Sequence, residues 1–258
     1  MKKKLKRANQ HLDALEHEIE RWLSTDPYIV IDQIDSQTGE NAVRICRKES
    51  TPPSISVIAG DVIHNLRCAL DHLVYALADS YQRMLTHKPF ILGDVTGTQF
   101  PIFHSWEEFC NRGTKFVRRI HPDAQAIICG LQPCTAVDPQ GQWLWQLREL
   151  SNIDKHRTLN ATLDVHAGTN LFPMPGGGFI EYLRTFGRLR SDQSEAEIAR
   201  YKAYSSPDQT MRVQVNLKPV AEVGFGYGLV EGRHVLNTLK GIRSYIGSEV
   251  IPLLTPFL

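Results

Sequence analysis

Arg67 and His72 are the residues whose types and spacing most directly suggest chemistry, and Asp61, His64, Asn65 and Asp71 surround them in the same run. A guanidinium is permanently charged and presents a planar fork of donors that fits phosphate oxygens. An imidazole titrates near neutral pH and can take up or return a proton. Together they meet the needs of metal-independent RNA cleavage. The base removes the ribose 2′-OH proton, and the cation holds the charge that develops on the phosphate. A second cluster, Asp154 with Arg157, sits in the segment Asn152-Ile153-Asp154-Lys155-His156-Arg157.

The element that must position the first cluster is a helix. Projected at about 100° per residue, Val62, Ile63, Leu66, Leu70, Leu73, Val74 and Leu77 occupy one broad arc. Asp61, His64, Asn65, Arg67, Cys68, Asp71, His72 and Tyr75 occupy the other. A solvated face is normally rich in Lys and Glu, yet this chain has no Lys between Lys48 and Lys88 and no Glu between Glu49 and Glu107. The polar arc therefore reads as a surface that meets other polar groups. Arg67 and His72 lie about 140° apart on one ideal helix, too far round to grip one phosphate comfortably from a single copy. A homodimer would supply the opposing motif. Asp61 and Asn65 lie on the His72 side and are placed to orient the imidazole. Asp71, one turn beyond Arg67, can pair with it. Gly60 inside the helix costs about 1 kcal/mol relative to Ala, which suggests either a kink or the close approach of a neighbour.

The second cluster belongs to a helix at about 140–160. Trp143, Leu144, Leu147 and Leu150 define its apolar side, and Asp154 and Arg157 project onto that side while Lys155 and His156 point away. Charges on such a stripe need partners; the expected ones are Arg67, His72 or His64.

The string Arg67-Cys68-Ala69-Leu70-Asp71-His72 resembles the R-x4-6-H motif of the HEPN superfamily. That resemblance implies a small helical bundle, a homodimer with two motifs meeting in a cleft, and ribonuclease activity of the bacterial toxin or phage-defence type. HEPN motifs commonly place Asn, Asp or His directly after the Arg, where this chain has Cys68. The wider string GDVIHNLRCALDHL, with FPIF and NIDKHR downstream, also resembles a family of uncharacterised bacterial proteins and covers most of the chain. That second resemblance implies no activity.

Composition bounds the alternatives. The chain has 258 residues, 29 Lys+Arg against 28 Asp+Glu, and a net charge of +1, so no broad basic face for nucleic acid is expected. Basic character is local, at Lys2-Lys3-Lys4-Lys6-Arg7 and at Arg112, Lys115, Arg118 and Arg119. The five cysteines are scattered without a C-x-x-C pair, which fits reduced thiols in a cytoplasm. Polar residues follow the basic start, so no secretory leader is expected, and no stretch reaches the ~20 apolar residues of a membrane span. No cofactor and no metal are expected. The partners expected are RNA as substrate, a second copy, and an antitoxin or other protein.

The chain-wide pattern predicts an α+β fold: a HEPN-like four-helix bundle with an attached antiparallel β-sheet in one domain, 1–258. The bundle helices fall at about 2–24, 52–83, 140–160 and 230–250. The β-rich part comprises a hairpin at 28–47 and strands within 162–228, the clearest alternating Met211, Val213, Val215 and Leu217 with polar residues. Two other functions compete with the ribonuclease. One is a non-catalytic binding or scaffolding bundle, in which the polar cluster only fixes helix register. The other is a metal-dependent hydrolase drawing on His64, Asp71, Asp154, His156 and His234.

Overall fold

Ala8, Leu12, Leu15, Ile19 and Trp22 repeat at helical spacing and are buried along α1 (Lys2–Leu23). The computed structural model describes residues 1–90, 97–157, 159–166, 179–185, 189, 193–204, 220–226 and 230–258. Within them the protein is mixed α and β, with antiparallel pairing throughout. The chain divides into two compact units. One comprises Met1–Glu16, Ser56–Leu159 and Val235–Leu258; the other comprises His17–Ile55 and Asn160–His234.

The second unit holds every described strand. β1 (Tyr28–Ile34) and β2 (Asn41–Arg47) form a hairpin. Its turn is closed by the Asp35 N–H donating to the Glu40 carbonyl at 2.7 Å, with Gly39 in the left-handed region at φ 70°. β3 (Ala161–His166) pairs with β6 (Val220–Phe225) as a separate two-stranded ribbon, while β4 (Phe179–Thr185) and β5 (Glu195–Tyr204) extend the hairpin in the order β1-β2-β5-β4. Val43, Ile45, Ile198, Ala199 and Tyr201 are buried on this sheet. The Arg200 guanidinium ties the turn to β5, reaching Asp35 at 3.0 Å, Glu40 at 3.3 Å and Glu197 at 2.6 Å. The strand expected at 211–217 and the turn at 176–178 lie outside the described residues.

The first unit is helical. After α1, its elements are α2 (Pro53–Thr86), a short α3 (Trp106–Glu108), α4 (Pro122–Gly130), α5 (Trp143–His156), α6 (Val235–Tyr245) and α7 (Ile251–Leu254). α2 runs unbroken through Gly60 and buries Ala59, Val62, Ile63, Leu66, Leu70, Leu73, Val74 and Leu77. Each of these larger aliphatic side chains contributes about 1.5–3 kcal/mol by leaving water. Neighbouring helices meet through named pairs. Arg243 on α6 donates to Asn9 on α1 at 2.6 Å, and Lys240 pairs with Glu16 at 2.6 Å. Gly241 lets α6 approach α5 so closely that a Cβ there would stand 2.5 Å from the Trp143 ring.

The connector Phe100-Pro101-Ile102-Phe103 is threaded beside α2 with Phe100 fully buried. Buried backbone polar groups need partners, and side chains provide them. Asp71 accepts the Phe100 N–H at 2.9 Å, and Arg67 donates to the Phe100 carbonyl at 2.5 Å. Gln132 accepts the Phe103 N–H at 3.2 Å and donates to the Pro101 carbonyl at 2.8 Å. Among the described residues no helix is long and apolar enough to cross a membrane.

Candidate functional site

α5 approaches α2 at Gly60 through Asp154. A Cβ at that position would lie 2.5 Å from Asp154 Oδ1 and 3.2 Å from its Cγ. The glycine is therefore a seat for a carboxylate, within a helix that continues unbroken through it. Of the two readings of Gly60, the close approach is the observed one.

A cavity of about 430 Å³ opens at this crossing, lined by Ser56, Val57, Gly60, Asp61, His64, Asp154, Arg157 and Leu159. Four of the eight residues singled out from the sequence, Asp61, His64, Asp154 and Arg157, thus share one space. Burial raises the Asp154 carboxyl above its ordinary range; the His64 charge opposes this and the Asp61 charge adds to it. His64 Nε2 stands 3.4 Å from Cys68 Sγ, one turn away on α2. Asp61 is exposed and lies 4.0 Å from His11 Nδ1 on α1. Arg157 closes α5, its N–H donating to the Ile153 carbonyl at 2.7 Å, and from there its side chain reaches the cavity.

The motif pair is arranged differently. Besides donating to the Phe100 carbonyl, Arg67 Nη2 lies 3.3 Å from Asp71 Oδ1. Burial lowers the Arg67 guanidinium, Asp71 opposes that shift, and Arg148 adds to it by repulsion. His72 is exposed and lies in the field of the N-terminal ammonium and Lys4; burial first, then these charges, lower its imidazole. Arg67 and His72 share no hydrogen bond. Asn65 does not reach His72 either, because its amide donates to the Asp61 carbonyl of its own helix at 2.8 Å. Nor do Asp154 and Arg157 line the cavity that holds Arg67.

Lys155, expected to point away, lines a second cavity of about 130 Å³ with Arg67, Ile102, Arg148, Ser151 and Asn152. The sequence reading missed Arg148, Ser151 and Asn152, although Arg148, Ser151, Asn152 and Lys155 fall at i, i+3, i+4 and i+7, the spacing of one helix face. His234, a candidate ligand in the hydrolase reading, lies 3.8 Å from Glu222. Among the described residues, no three His, Cys, Asp or Glu side chains gather closely enough to hold a metal ion.

Neither family models, characterised proteins nor solved structures give a match to this chain.

Proposed function

We propose that the chain is a HEPN-like, metal-independent endoribonuclease whose reacting groups line the cavity between α2 and α5. The observation that carries this reading is the convergence of His64, Asp154 and Arg157 on one cavity, with the Asp154 carboxyl raised by burial. Such a set holds a base, an anion anchor and an acid. His64 takes the proton from the ribose 2′-OH as O2′ bonds to phosphorus. Arg157 holds the non-bridging oxygens. The departing O5′ takes a proton from Asp154, when that carboxyl is protonated, or from solvent, as the P–O5′ bond breaks. The products are a 2′,3′-cyclic phosphate and a 5′-OH, and proton exchange with solvent resets both side chains.

The bundle reading is supported by contacts that link the four long helices in turn: His11 with Asp61, Asp154 against Gly60, Trp143 over Gly241, and Arg243 with Asn9. The chain acts in a cytoplasm in this reading, as a toxin or phage-defence nuclease held in check by an antitoxin or other partner protein.

A second reading keeps Arg67 and His72 as the reacting pair, shared across a homodimer. It is favoured by the exposure of His72 and by partial desolvation and positive neighbours, which shift its imidazole towards the neutral, proton-accepting form.

RNA incubated with the full chain in EDTA tests both. Loss of His64 or Arg157 to Ala, with the fold intact by circular dichroism, is expected to lower cleavage by about a hundredfold or more. In the second reading His72→Ala has that effect, and mixing it with an inactive Arg67→Lys chain restores part of the activity. RNA binding with no cleavage under any condition refutes both enzyme readings and leaves a binding module.

A further inference from the structure

The smaller cavity is walled by groups that donate. Arg67 comes from α2, and Arg148, Ser151, Asn152 and Lys155 come from one face of α5, with Ile102 of the connector as the apolar wall. Among the described residues no carboxylate lines it. Two carboxylates flank it: Asp71 accepts the Phe100 N–H at 2.9 Å and lies 3.3 Å from Arg67 Nη2, and Glu149 lies 3.2 Å from His104 Nε2 and 3.0 Å from Arg148 Nη1. Lys155 has no ion-pair partner among the described residues.

Arg67 and Arg148 each have one carboxylate neighbour and Lys155 has none, so the wall keeps a net positive charge, and Arg148 still acts on Arg67 by repulsion. A folded chain tolerates the arrangement at low cost when an anion occupies the centre. Size narrows the choice. At about 130 Å³ the cavity takes a single tetrahedral oxyanion, whereas the neighbouring space of about 430 Å³ is the larger of the two. The donor set fits that shape. The guanidinium N–H groups of Arg67 and Arg148 not spent on Phe100, Asp71 and Glu149, with the Lys155 ammonium, supply charge, while the Ser151 hydroxyl and the Asn152 amide supply neutral donors for the remaining oxygens.

We propose that Arg67, Arg148 and Lys155, with Ser151 and Asn152, form a binding pocket for one phosphate group. It does not depend on the chain cleaving RNA. The phosphate can belong to a nucleic-acid backbone or to a free phosphate or small phosphoester, and the chemistry of recognition is the same.

Inorganic phosphate titrated into the full chain at constant ionic strength, with chloride as the balancing ion, is the direct test. Phosphate is expected to raise the melting temperature and chloride to leave it unchanged. Lys155→Gln and Arg148→Gln should each weaken phosphate binding about tenfold or more, while leaving the melting temperature in chloride within a few degrees of wild type. These α5 variants keep the test valid even if replacing Arg67 unfolds the connector. A short RNA that displaces phosphate identifies the backbone as the source. An RNA that leaves bound phosphate in place identifies a free phosphate or phosphoester. No phosphate-specific shift at saturating concentration, or one unchanged in both α5 variants, overturns the pocket. An inactive nuclease that still binds phosphate this way separates the pocket from the proposed catalysis.

Discussion

Gly60→Ala separates the stability of α2 from the organisation of its cavity. Replacing a helix-interior glycine by alanine gains about 1 kcal/mol from backbone entropy and propensity. Against this stands the steric cost. The new Cβ falls 2.5 Å from Asp154 Oδ1 and 3.5 Å from Oδ2, and the next atom it meets is 3.2 Å away, the same carboxylate's Cγ. All three atoms belong to one side chain on the exposed part of α5. Turning it out of the cavity costs about 0.5–1.5 kcal/mol if the new χ angle departs from a rotamer. The two terms nearly cancel, so stability should change by less than about 1 kcal/mol, or about 2–4 °C in melting temperature. In the proposed reaction activity should not survive in the same way, because the carboxyl assigned as proton donor has left its seat. RNA cleavage in EDTA is expected to fall about a hundredfold with urea unfolding almost unchanged. In Gly60→Ala/Asp154→Ala the clash disappears, so the alanine should stabilise by about 1 kcal/mol relative to Asp154→Ala alone. A loss of stability beyond about 2 kcal/mol in the single variant, which would match overpacking of a rigid core, refutes the idea that the glycine seats a movable carboxylate. So does full activity in the single variant.

Asp71→Ala leaves the Phe100 N–H and the Arg67 guanidinium without their carboxylate and should cost about 1–3 kcal/mol in urea unfolding. Asp71→Asn keeps an acceptor for Phe100 and should cost less; equal losses would show that the hydrogen bond is not what matters. Gly241→Ala drives a methyl into the Trp143 ring, whose nearest carbon would be 2.5 Å away, and should destabilise by about 1–3 kcal/mol. Trp143→Leu should relieve part of that penalty, and strict additivity of the two changes would contradict the contact. Because burial raises the Asp154 carboxyl, its stabilising effect is full below the unfolded value of about 3.9 and is lost as pH rises through the folded value. Asp154→Asn should therefore gain stability relative to wild type as pH climbs through that window and level off above it. A pH-independent difference in urea midpoints would show that the carboxyl is not perturbed.

Periodicity made the polar arc of α2 legible because a helix fixes which side chains share a side before any packing is known. Leu66, Leu70 and Leu73 are buried, and Asp61, His64 and His72 are exposed. The hairpin at β1 and β2 was legible for a similar reason, since the turn residues from Asp35 to Gly39 separate two apolar runs. What one helix cannot show is its neighbour. Asp154 sits on an apolar stripe that seeks Arg67, His72 or His64; of these His64 shares its cavity, and the close seat is given by the missing Cβ of Gly60. Arg67 reads as a free phosphate fork until the connector carbonyl of Phe100 is seen 2.5 Å away. Lys155 points away from the apolar side and is exposed, as the projection predicts, yet it also lines the cavity that holds Arg67, which a projection of one helix cannot show. The α5 stripe from Arg148 to Lys155 could have been found by its spacing alone, but a polar stripe on a helix is usually solvated, and only the facing Arg67 gives it meaning.

The proposed reaction is tested most directly by the chemical ends of its products. RNA with a single 2′-deoxy substitution at the scissile position, and the same RNA without it, are incubated with the full chain in EDTA. In-line attack by O2′ predicts a 2′,3′-cyclic phosphate and a 5′-OH from the unmodified strand, no cleavage at the substituted position, and loss of both products in His64→Ala. Cleavage that ignores the 2′-deoxy substitution, 3′-OH ends, or wild-type rates in His64→Ala would contradict it.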